Sequence, residues 1–96
     1  MNKTGYHIKV QGTVQGVGYR YLCSEAGTYF GLDGFVMNMP DGSVELEVFG
    51  TQVSIDGFIR KISGNGGSHA VEKIEKYEIP ENKKYVGFQI LQYPGY

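Results

Sequence analysis

The stretch Gly12-Thr13-Val14-Gln15-Gly16-Val17-Gly18-Tyr19-Arg20 puts three glycines and an arginine where a strand pattern gives way to a helix pattern. Glycine accepts positive φ and lets the backbone approach a ligand closely. Successive N–H groups of such a turn converge into an anion nest, and a helix start adds free donors and a partial positive charge. Arg20 contributes a planar fork that matches two phosphate oxygens. The candidate is therefore a phosphate cradle made by Gln15, Gly16, Val17, Gly18, Tyr19 and Arg20. An ordinary turn followed by a solvated arginine has the same composition, so the residue types alone leave both readings open. Two familiar phosphate motifs are excluded. No Gly-Lys-Ser/Thr follows, as a Walker loop needs, and the helix leads into an antiparallel hairpin, unlike a dinucleotide fingerprint.

Other reactive residue types promise less. Cys23 lies in the first helix near its apolar stripe and reads as a small buried hydrophobe. His7 and His69 are far apart, without a second cysteine or an HxxxH spacing, so neither a metal site nor histidine catalysis is expected. Glu45 and Glu47 alternate with Val44, Leu46 and Val48, which marks them as the exposed face of a strand.

The elements that must position the cradle follow from periodicity. Tyr6, Ile8 and Val10 alternate with His7, Lys9 and Gln11, a half-buried strand. Leu22, Ala26, Tyr29 and Phe30 fall on one face of a helix read from Tyr21 and ended by Gly31. Gly27 within it costs about 1 kcal/mol relative to alanine. Strands follow at Phe35–Asn38 and Val44–Phe49, joined by the turn chemistry of Pro40-Asp41-Gly42. Ile55, Phe58, Ile59 and Ile62 predict a second helix with Thr51 as N-cap and Gly64 past its end. A loop at Asn65–Ser68 precedes a strand from about Val71 to Ile79, where the Val71/Ile74 spacing suggests a bulge. The last strand shows Val86, Phe88 and Ile90 on one face. This order predicts an α+β fold, the ferredoxin-like split β-α-β arrangement with two helices on one face of a mainly antiparallel sheet. That architecture hosts many functions and settles none.

Composition narrows the classes further. Ninety-six residues make one domain, 1–96, and a 41% hydrophobic content with 20% charged residues is that of a globular chain. A net charge of -1 lacks the footprint of a duplex-DNA binder or a polybasic membrane protein. One cysteine rules out an intrachain disulfide or a dithiol pair. No apolar run nears the ~20 residues of a membrane span. The amino terminus has no signal-peptide pattern, which makes a cytoplasmic location the expectation.

Two spaced segments carry a family resemblance. Val10 through Arg20 closely resembles the first signature of the acylphosphatases. Gly34-Phe35-Val36-Met37-Asn38, then Asp41-Gly42-Ser43-Val44 and Gly50, is similar to their second, with the expected gaps. Phe88-Gln89-Ile90 resembles the family's last strand. Tyr19 stands where phenylalanine is commoner, and Gln92 to Tyr96 runs past the usual family end without an assigned role.

The resemblance implies hydrolysis of acyl phosphates to carboxylate and inorganic phosphate, metal-independent and without a cofactor. It assigns phosphoryl binding to Arg20 with the loop amides and the attacking water to Asn38; outside the resemblance Asn38 reads as a strand-end residue. An amide cannot act as a base, but it can accept from water and donate to it. The water's proton would then pass to the substrate. Ser43 is placed to orient Asn38 or to serve as a turn hydroxyl, and the C-terminal carboxylate that steadies the arginine in family members is in question here because of the longer tail. Expected partners are a small-molecule acyl phosphate and phosphate, with no nucleic acid, no membrane and a monomeric state. The alternative is a non-catalytic ferredoxin-like module that binds a phosphorylated ligand or RNA, and Glu45 and Glu47 on a central strand weigh against RNA. A third reading is a carbamoyl-phosphate-handling unit like those in larger maturation enzymes. The chain's end at Tyr96 favours a free-standing enzyme.

Overall fold

The computed structural model describes residues 2–81 and 84–95. Along the chain run β1 (Lys3–Thr13), α1 (Tyr19–Tyr29), β2 (Asp33–Asn38), β3 (Val44–Thr51), α2 (Gln52–Ser63), β4 (Ala70–Ile79) and β5 (Phe88–Gln92). The strands form one sheet in the order β4-β1-β3-β2-β5. Every neighbouring pair is antiparallel except β2 and β5, which run parallel. Both helices pack on one face, the ferredoxin-like arrangement expected from the element order. Neither is long and apolar enough to cross a membrane.

The period-two strands bury one face as expected. Ile8 and Val10 on β1 and Val44, Leu46 and Val48 on β3 are all fully buried against the helices. From α2, Ile55, Phe58 and Ile62 meet them, and Thr51 caps that helix by accepting from Ser54 N at 3.2 Å. A side chain of this size contributes roughly 1.5–3 kcal/mol on burial. The bulge also appears. Gln11 lies opposite Lys73 and Gly12 opposite Val71, so Glu72 is the extra residue.

Two expectations need correction. α1 starts at Tyr19, two residues before the reading from periodicity, and buries Tyr19, Cys23, Ala26 and Gly27. Tyr29, expected in the stripe, is 82% exposed. The physical reason is Gly27: a Cβ there would run into the Phe88 ring, so this turn of helix presses its backbone onto β5. On β5, Phe88 packs against the core, while Val86 precedes the strand and is exposed, and Ile90 is half exposed. A single apolar face therefore does not run along the last strand.

The parallel pair sets the position of everything that follows. It places Asn38 opposite Gln92 and Gly34 opposite Phe88. Because Gly27, near the end of α1, sits over Phe88, the start of α1 lies toward Asn38 and Gln92.

Candidate active site

The cradle segment is built by alternating backbone handedness. Gly16 and Gly18 take φ of 73° and 79°, with Val17 between them outside the positive region. That alternation turns successive N–H groups toward one side. Gly18 is the N-cap residue of α1 in a left-handed conformation and has no side chain to cap the helix. The N–H groups of Tyr19, Arg20 and Tyr21 have no intrahelical acceptor, whereas the fourth donor, Leu22 N, reaches Gly18 O at 3.1 Å. The contrast with α2, capped by Thr51, is chemical: α1 leaves its first donors available.

These donors border a recess of about 260 Å³ that also holds Arg20 and Asn38. Val14 and Tyr19, each 1% exposed, make its floor, and Gly16, Gly18, Tyr21 and Ile90 its mouth. Arg20 and Asn38 are also walls of a second recess of about 120 Å³, completed by Gln92 and Tyr93. The structure thus brings Arg20, Asn38, Gly16, Gly18 and Tyr19 together. Among the described residues no acidic side chain forms an ion pair with Arg20. Its side chain borders both openings, where no described carboxylate competes for it.

Asn38 has an unusual environment. Its Oδ1 is enclosed, and no described residue donates to it. Leaving an acceptor in that state costs about 1–3 kcal/mol. A half turn about the Cβ–Cγ bond exchanges the two amide atoms and brings the carbonyl oxygen to the recess, a rotation that the broad two-fold torsion of an amide permits.

The side chains of the remaining expected residues bond and pack within the scaffold. Gln15 and Val17 do not line the recess. Gln15 Nε2 donates to Met39 O and Ser43 O, both at 2.8 Å, tying the cradle to the β2–β3 hairpin that carries Asn38. Val17 packs against the core. Tyr19 points inward and its hydroxyl donates to Ile62 O at 2.8 Å, so only its backbone is offered to the recess. Burial raises the pKa of that hydroxyl well above its ordinary value. Ser43 is a turn residue: its Oγ donates to Asp41 Oδ1 at 2.6 Å and its N–H to the same oxygen at 2.9 Å, and it makes no hydrogen bond to Asn38 Oδ1.

Cys23 is fully buried, and burial pushes its thiol up to about 12, which keeps it protonated and unreactive. His7 lies on the other sheet face between Glu45 (2.9 Å) and Glu47 (3.3 Å), which are half-buried rather than open to solvent. His69 bonds Gly64 O at 2.8 Å and stands beside the Tyr19 ring. The recess-lining residues missed from sequence are Val14, Tyr21 and Ile90, and from the tail Gln92 and Tyr93. The tail has a place in the recess wall, and the signal for it was long-range strand pairing, which no local pattern carries. The carboxylate of Tyr96, expected as a possible prop for Arg20, lies outside the described residues.

Comparison with known proteins places this geometry. A Photobacterium profundum acylphosphatase is 36% identical over 90 residues, covering 94% of this chain and 99% of that one. The crystal structure of the Bacillus subtilis acylphosphatase superposes with a TM-score of 0.84 at 31% identity, over 92% of this chain and 98% of the other. A full-length HypF, solved in a phosphate- and nucleotide-bound form, matches at a TM-score of 0.86 and 30% identity. That match takes in 98% of this chain but only 13% of the HypF chain. With the Acylphosphatase family model also matched across residues 6–90, from the strand that feeds the cradle to Ile90 at its mouth, this chain belongs to the acylphosphatase family and is an acyl phosphate hydrolase.

Proposed function

We propose that the phosphoryl group of the acyl phosphate sits between the Gly16–Tyr19 amides and Arg20, with the attacking water held by Asn38. The observation that carries this reading is the shared recess: Arg20, which has no acidic partner among the described residues, and the Asn38 amide, whose carbonyl reaches the opening after a half turn, border the same helix start without a side-chain cap. An acyl phosphate is a mixed anhydride whose leaving group, a carboxylate, needs no strong acid. What the protein must supply is positioning and stabilisation of charge on the equatorial phosphoryl oxygens. Arg20 and the loop N–H groups are fixed donors for that charge. Turned by that half rotation, Asn38 Oδ1 accepts from the water and fixes its approach to phosphorus. The water oxygen bonds to phosphorus as the bond to the carboxylate oxygen breaks, and the water's proton passes to a phosphoryl oxygen of the substrate. None of these steps calls for a metal, and the reading takes the enzyme as a monomer without a nucleic-acid partner.

The test is benzoyl-phosphate hydrolysis with EDTA present. Arg20→Ala is expected to lower kcat/KM by about 10²-fold or more, the scale of losing one transition-state donor. Asn38→Ala is expected to lower kcat by a similar factor while inorganic phosphate still inhibits competitively. Hydrolysis that EDTA abolishes, or an Asn38→Ala variant with undiminished kcat, contradicts the reading.

A further inference from the structure

We infer that the preferred substrates carry an uncharged aromatic or bulky aliphatic acyl group, received by a collar of Tyr21, Ile90 and Tyr93 beside the phosphate cradle. The inference rests on the phosphate placement proposed above. Among the described residues seven large apolar or aromatic side chains are left exposed, and three of them border the two recesses that share Arg20 and Asn38. Tyr21 is 66% exposed, Ile90 44% and Tyr93 37%.

Their positions follow from the elements. Tyr21 lies in the first turn of α1, one residue past Arg20. Ile90 lies on the same side of β5 as Phe88, but only Phe88 is packed against the core. Tyr93 follows Gln92, the strand partner of Asn38. A phosphoryl group against the glycine amides leaves its acyl substituent to cross the rest of the mouth, and the remaining mouth is these three side chains with Gln92. Rings offer both an apolar face and an edge to a planar aryl group. Apart from Arg20, which the phosphoryl group engages, no charged residue among the described ones lines either recess, so they offer an acyl chain bearing an ammonium or a second anion no counter-charge.

The experiment compares kcat/KM for benzoyl phosphate and acetyl phosphate in the wild type, a Tyr21→Ala/Tyr93→Ala double variant and a Tyr21→Phe/Tyr93→Phe double variant. The methyl of acetyl phosphate is too short to cover a ring. Taking the ratio of the two substrates, variant against wild type, cancels their intrinsic difference in reactivity. The benzoyl-to-acetyl ratio is expected to fall by roughly five- to tenfold in the alanine variant and to persist in the phenylalanine one. An unchanged ratio in the alanine variant, or its loss in the phenylalanine variant, overturns the collar. Competitive inhibition by inorganic phosphate in the same samples reports on the cradle separately. If phosphate does not compete with either substrate in the wild type, the placement beneath the inference fails; if it competes while the ratio stays flat, the collar alone fails.

Discussion

Asp41 holds the turn between β2 and β3, just beyond Asn38. Its Oδ1 accepts from the backbone and hydroxyl of Ser43, and its Oδ2 meets Lys9 Nζ at 3.1 Å. The Ser43 hydroxyl and N–H, and then Lys9, lower the carboxyl from 3.8 to about 2. A carboxyl depressed in the folded state stabilises the fold at pH values above its unfolded pKa, and that contribution disappears as pH falls through the folded value. The stabilisation is therefore complete above about pH 4 and is lost toward pH 2. Asp41→Asn keeps an oxygen for Ser43 but removes the titration. Melting temperatures of wild type and variant are expected to differ most near neutrality and to converge as pH approaches 2. A gap that stays constant across the acid range would show that Asp41 does not titrate as a held carboxylate. The Lys9 share of the effect should shrink in salt, because both partners keep contact with water.

At the level of elements, the cradle and the hairpin are separate pieces joined by Gln15. The two carbonyls that Gln15 Nε2 serves have other donors: Met39 O accepts from Gly42 N at 3.1 Å, and Ser43 O from Met39 N at 2.9 Å. Gln15→Ala therefore leaves neither acceptor stranded, and the stability loss should be about 1–3 kcal/mol, the scale of two ordinary hydrogen bonds. The registration of the Gly16–Gly18 turn against Asn38 is what the variant loses. On the proposed placement of the phosphoryl group Gln15 acts as a positioning residue, and kcat/KM should then fall by roughly tenfold with kcat carrying most of the loss, since a small misplacement of reacting groups is costly. A loss confined to melting temperature, with kcat unchanged below the transition, would reduce Gln15 to a structural role. Elements like these were largely legible from residue order. Alternation at Ile8 and Val10 and the Thr51 cap are local signals, and each strand and helix formed close to its expected place. The α1 stripe was misjudged because a glycine carries no hydrophobicity to count, yet Gly27 is where the Phe88 ring of β5 packs against the helix backbone. The cradle was legible for the opposite reason: its glycines sit in one short run. Gln92 and Tyr93 were not, because parallel pairing of β5 with β2 joins segments some fifty residues apart, from Asn38 to Gln92.

On the scale of the whole molecule, the sheet has a second apolar layer that the helices never touch. Phe35 and Phe49 project from β2 and β3 on the face opposite the core and are nearly buried, at 7% and 2% exposure. Tyr85, in the connection that carries the chain from β4 at one edge to β5 at the other, covers them. Its ring centroid lies 5.3 Å from that of Phe35 and 6.4 Å from that of Phe49. Gly5 admits the Phe49 ring, since a Cβ there would lie 2.6 Å from it. This cluster anchors the strap that delivers β5, but it stands on the far side of the sheet from Arg20 and Asn38. Stability and catalysis should therefore separate at Tyr85. A half-buried ring truncated to alanine loses about 2 kcal/mol, part of the 3–5 kcal/mol of a fully buried one. At 4–8 °C per kcal/mol for a domain of this size, Tyr85→Ala should melt roughly 8–16 °C below wild type. Well below that transition, kcat/KM for benzoyl phosphate should match wild type within about twofold, because the parallel pairing of Asn38 with Gln92 does not pass through the ring. Thermal melts followed by circular dichroism, with kinetics on the same samples at low temperature, measure both quantities. A parallel fall in kcat/KM would mean that the strap fixes the register of β5, and with it the wall that Gln92 and Tyr93 give to the site.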